Sequence, residues 1–125
     1  MATGAPVRLR AQPSPGRRPT KRSCRLVVLR LGPAWTRRVP SARHPALVAH
    51  GEYVDHLFDE GRLLIAGPLL NDSGVVSLEA VTGAVLVLRA ATPQQARRFA
   101  EADPAVRAGL LQVAEVRPWE IVRPR

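Results

Sequence analysis

His50 stands in the middle of an apolar stripe. On a helix advancing about 100° per residue, Leu47, His50, Tyr53, Val54, Leu57 and Phe58 share one face of 47-LVAHGEYVDHLF-58, while Glu52, Asp55, His56 and Asp59 share the other. Burying an imidazole there without a hydrogen-bond partner costs roughly 1–3 kcal/mol. Either a neighbour satisfies the ring, as in a core histidine, or a pocket opens there and uses it. In the second case its chemistry is proton transfer near neutral pH, helped by a carboxylate that fixes tautomer and orientation. Tyr53, one turn on, could donate a hydrogen bond to a developing enolate or carboxylate, or serve as core with its hydroxyl at the rim. Arg37, Arg38 and Arg43 precede this helix. Guanidinium groups suit a carboxylate or phosphate, so Arg43 and its neighbours are either a clamp for an anionic substrate or a solvated basic loop. His44 and His56 are expected in solvent. His50 and His56, six residues apart, point to different sides, so the histidines make no metal site.

Other chemistries lack a signature. The chain has no G-x-G-x-x-G, no Walker loop, no G-x-S-x-G and no C-x-x-C, so nucleotide cofactors, serine hydrolysis and dithiol redox chemistry have no sequence support. With Cys24 as its single cysteine, it can form no intrachain disulfide and no cysteine-based metal site. No cofactor is expected.

The elements that must position His50 belong to one domain, because 125 residues bury roughly two-thirds of their unfolded surface without staples. No apolar run approaches the length of a membrane span, and no apolar segment of signal-peptide length follows the basic N-terminus. A cytoplasmic location is the expectation. The formal charge is +9, yet residues 1–43 hold eleven basic side chains and no acid, whereas residues 44–125 carry a net charge of −2. The excess is therefore an N-terminal feature rather than a basic face, and specific nucleic-acid binding is not expected.

Residues 1–22, rich in Pro, Gly and Arg, read as a disordered tail, leaving 23–125 as the folded domain. An Arg-rich, acid-free leader also fits a transit peptide, but its poverty in Ser favours a bacterial tail or an over-extended start site. Residues 24–31 then read as a strand, and 32–45, with its prolines and a glycine, as a loop. A first helix follows and stops at Gly61, the usual left-handed cap residue. Residues 62–70 form a second strand, bent or ended at Gly67-Pro68. A turn at 71–74 and an ambiguous stretch to Gly83 lead to a strand over 84–90. Thr92-Pro93-Gln94-Gln95 opens a second helix, which Asp103-Pro104 should end. A last strand or pair of strands lies within 110–122. The order β-α-β-β-α-β is α+β and ferredoxin-like, with two helices on one face of an antiparallel sheet. Strands such as 26-LVVL-29 and 84-AVLVL-88 are apolar on both faces. Two helices cover only one of them, so a second copy packed sheet to sheet predicts a homodimer.

The run 49-AHGEYVDHLFDEGRLLIAGPLLNDSG-74, the later 92-TPQQARRFAEADPAVRAGL-110 and the closing 115-EVRPW-119 resemble the YciI-like (YCII-related) family over about residues 24–120. The resemblance implies the dimeric α+β barrel fold. It also implies small-molecule enzymes, among them a dehydrochlorinase acting on a chlorinated hydroxymuconate. The family's suspected active pair is a His on the first helix and an Asp after the second strand, which by position are His50 and Asp72. Asp72 is otherwise a turn residue capping its own backbone. Where the family often has Asp-Pro-Phe, this chain has Asp103-Pro104-Ala105, so an aromatic pocket wall is expected to be missing. The expected function is acid/base chemistry of lyase or isomerase type on a small anionic substrate, with His50 assisted by Asp72 and with Tyr53 and Arg43 as substrate contacts. The alternative is a non-catalytic small-ligand-binding or accessory module in which pocket and fold are kept without turnover.

Overall fold

Alternation places Val27 and Leu29 on one side of the first strand and Leu26 and Val28 on the other. That strand, β1 (Cys24–Leu31), lies inside a four-stranded sheet with β2 (Leu63–Leu70), β3 (Val81–Arg89) and β4 (Leu111–Trp119). The strand order is β2-β3-β1-β4, and every neighbouring pair is antiparallel. This is the ferredoxin-like arrangement: α2 crosses between β1 and β2, and β3 inserts between them. Residues 24–123 are described, in a computed structural model. The reading of residues 1–22 as a disordered tail lies outside them.

Four helices join the strands: α1 (Pro33–Arg37), α2 (Pro45–Asp59), α3 (Pro93–Glu101) and α4 (Pro104–Arg107). The stretch 32–45 is thus not all loop. Gly32-Pro33 ends β1 and starts α1 with a proline at its first position, where the missing N–H costs nothing. The reward is burial of Trp35. Gly67-Pro68 neither bends β2 out of the sheet nor ends it. The strand runs on to Leu70 because it lies at the edge, where a proline need not break a ladder.

The ends of α2 are well fixed. The Nδ1 of His44 accepts from the Ala46 N–H at 3.1 Å, so this half-buried histidine caps the helix rather than facing solvent alone. At the other end Gly61 takes φ +75°. Its N–H bonds to the Phe58 carbonyl while the Arg62 N–H bonds to Leu57, a Schellman closure. The helices lie on one face of the sheet. Val27, Leu29, Leu86 and Leu88 meet Leu57, Ala96 and Ala100 there. Phe58, grouped by periodicity with the apolar face, is instead exposed near the helix end. Among the described residues, no helix is long and apolar enough to cross a membrane.

Candidate functional site

The imidazole of His50 has found a partner, and that partner is Asp103. The His50 Nδ1 lies 2.7 Å from Asp103 Oδ2. The His50 side chain is a quarter exposed, while Asp103 is fully buried. The other carboxyl oxygen of Asp103 accepts the Ala105 N–H at 2.8 Å, capping α4. Both Asp103 oxygens are therefore engaged, as a buried carboxylate requires. With the Nδ1 proton donated to Asp103, a neutral His50 keeps its lone pair on Nε2. Among the described residues Nε2 makes no hydrogen bond, and His50 lines a cleft.

That cleft, of about 280 Å³, opens between α2 and the β2 edge of the sheet. Leu47 and Val54 flank His50 from α2, Trp35 closes one side, and Leu78 and Val81 lie at another. From the sheet, the small residues Ala66, Gly67 and Ala84 line it beside Leu86 and Leu111. At Gly83, also lining the cleft, a side chain is ruled out, since a Cβ would collide with the Leu29 carbonyl oxygen. Among the described residues that line the cleft, His50 is the one titratable group.

The other residues singled out from sequence lie elsewhere. Asp72 is exposed in the turn after β2 and is not among the residues lining the cleft. Asn71, not Asp72, supplies the side-chain cap of that turn, through Oδ1 to the Ser73 N–H. The carboxylate that reaches His50 is thus Asp103 and not Asp72. Arg43 is exposed and also outside the lining. The Tyr53 hydroxyl is spent on the Phe99 carbonyl, to which it donates at 2.7 Å. Burial, then the charges of Asp103 and Glu60, push its phenol above the ordinary tyrosine range. Among the described residues, no cluster of three His, Cys, Asp or Glu is placed to hold a metal ion.

Sequence reasoning missed two residues. Asp103 carried a readable signal: Asp-Pro ahead of a helical stretch is the N-cap signature already recognised at Thr92-Pro93. Its contact with a residue 53 positions away has no local trace. Trp35 supplies an aromatic wall where Ala105 does not, and its only signal was a large apolar side chain stranded in a proline-marked segment.

Comparison with known proteins agrees with this architecture. Protein YciI of Escherichia coli O6:H1 and that of Shigella flexneri are each 36% identical over 78 residues, covering 59% of this chain and 76% of theirs. In fold the chain resembles the 5-chloro-2-hydroxyhydroquinone dehydrochlorinase TftG from Burkholderia phenoliruptrix AC1100, solved with 2,5-dihydroxybenzoquinone. The TM-score is 0.62 at 24% identity, covering 78% of this chain and 93% of that one. The YCII-related domain matches residues 30–120, nearly all of the sheet and its helices, and the chain therefore belongs to the YCII-related family.

Proposed function

We propose that this chain is a small-molecule enzyme of lyase or isomerase type, with His50 Nε2 as acid/base and Asp103 as the carboxylate that orients it. The observation that carries this reading is the 2.7 Å contact between His50 and a fully buried Asp103 at an otherwise apolar cleft. Nε2 takes a proton from a substrate O–H or C–H. The resulting imidazolium is stabilised by Asp103 through Nδ1–H, and the carboxylate stays ionised. In an isomerisation His50 returns the proton to a different substrate atom. In an elimination the electron pair expels a leaving group, and His50 later gives its proton to solvent.

The lining narrows the substrate. Among the described residues no guanidinium or ammonium lines the cleft, so Arg43 is left out of the proposed site, and a polyanion is a poor match. A compact, largely apolar molecule with one acidic hydroxyl or activated C–H matches better. The hydroxyquinol and quinone in the name of the structural neighbour are of that size and polarity, and they differ from the hydroxymuconate that the sequence resemblance implied. A cytoplasmic homodimer completes the proposal.

The test is solvent deuterium exchange into a panel of one-ring hydroquinones and hydroxyquinols, followed by NMR, with wild type beside His50→Gln. Gln places an amide where the imidazole Nε2 stood but cannot cycle a proton. Exchange accelerated by wild type and reduced about 10²–10⁴-fold in His50→Gln is the expected result. Equal rates in the two proteins would sink the acid/base role. Binding without exchange would leave the non-catalytic module as the better reading.

A further inference from the structure

Tyr53 is not among the residues lining the cleft, but its hydroxyl sits at an informative place. Helix α3 ends at Glu101. Had it continued, the Asp103 N–H would bond to the Phe99 carbonyl four residues back. Instead the Asp103 N–H turns to Ala100 at 3.2 Å, and the Ala102 N–H goes to Arg98. This leaves the Phe99 carbonyl without either amide. The Tyr53 hydroxyl takes their place, at 2.7 Å. A half-buried carbonyl at a helix end needs such a partner, and here it comes from the helix that carries His50, one turn further along the same face.

We infer that Tyr53 is the positioning residue of the His50–Asp103 pair: Asp103-Pro104 breaks the chain between α3 and α4, and the Tyr53 phenol ties that break to α2 so that the Asp103 carboxylate meets His50. Two hydrogen bonds then join α2 to the α3–α4 junction: Tyr53 to Phe99 and His50 to Asp103. The first fixes the distance over which the second must form. The influence of the Asp103 charge on the Tyr53 phenol places the two groups in one electrostatic neighbourhood. Without the clamp the Phe99 carbonyl has no partner on α2 and the end of α3 is free to shift against α2, which loosens the His50–Asp103 contact although Pro104 still keeps the helix broken. This inference rests on the proposed acid/base role for its functional meaning, though not for its test.

The experiment is ¹⁵N-histidine NMR of the whole chain, reading solvent exchange of the His50 Nδ1–H proton, assigned against His50→Gln. In Tyr53→Phe, the loss of one net hydrogen bond is expected to speed that exchange about fivefold, with thermal unfolding still cooperative. The chain has a single tyrosine, so incorporation of 3-fluorotyrosine alters Tyr53 alone. Its more acidic phenol should slow the exchange, which keeps the test decisive if Tyr53→Phe fails to fold. Exchange indifferent to both changes would overturn the clamp, even if Tyr53→Phe lowers the melting temperature. Absence of a protected Nδ1–H in wild type would overturn the pair itself and, with it, the proposed function.

Discussion

Replacing His50 by a residue of similar size does not simply remove an imidazole; it strands a carboxylate. Asp103 is fully buried and, among the described residues, retains only the Ala105 N–H once His50 is gone. His50→Leu should therefore lose about 2–4 kcal/mol in urea unfolding, whether or not the histidine is catalytic. His50→Asn, whose amide nitrogen falls where the imidazole Nδ1 does and can donate to Asp103, should lose less than half of that. No loss in His50→Leu would show that the 2.7 Å contact adds nothing to the fold. The Tyr53 phenol makes a second measurable contribution. Its pKa is raised on folding, so within the range between the unfolded and folded values the native state holds the extra proton. The stability it contributes is complete below about pH 10 and is lost as pH rises through the folded value. Wild type should thus lose stability above pH 10 more steeply than Tyr53→Phe, in denaturant titrations at matched protein concentration. At this scale the sequence was half legible. Periodicity exposed the anomaly of a histidine on an apolar face, because helical geometry is local. The identity of its carboxylate depends on how α4 is placed against α2, which no local pattern records.

Between strand and helix, what the chain needs is to stop turning at the right residue. Gly61 is the clearest case, with φ +75° and the paired bonds to Leu57 and Phe58. A methyl added there meets only the Arg89 guanidinium at 3.5 Å, an ordinary contact. The cost of Gly61→Ala is therefore conformational, about 1–2 kcal/mol. It should leave proton exchange at the cleft unchanged, since His50 lies three turns from that end. A loss under about 0.3 kcal/mol in urea would mean that the left-handed cap relaxes at no cost. Elements of this kind were legible: β1 over 24–31, the end of α2 at Gly61 and the Thr92 cap of α3 follow from residue type and spacing alone. Helix α1 was hidden because the prolines that bound it read equally well as loop markers. What decides between the two is burial of Trp35 against the sheet, a tertiary fact.

Among the described residues, helices cover one face of the sheet and leave the other without a covering element. Ladder partners share a face, so the registers Leu26↔Val87, Val28↔Val85 and Ile65↔Val87 place Leu26, Val28, Ile65, Val85 and Val87 together on the side away from the helices. Val87 is already buried there, Leu26, Val28 and Val85 are half-buried, and Ile65 is more than half exposed. Along β4 the same face carries Glu115 and Arg117, opposite Val28 and Leu26. An apolar centre with a charged margin is the pattern of an interface rather than of a solvated surface. Covering it with a second copy, sheet on sheet, removes the exposed residues without any new element. The expected outcome is a dimer in sedimentation velocity, with a melting temperature that rises with protein concentration. Val28→Glu, at the centre of that face and away from His50, should shift the equilibrium to monomer. If the wild type sediments as a monomer across the micromolar range, the uncovered face has another occupant, and a twofold sheet-to-sheet assembly is excluded for this chain.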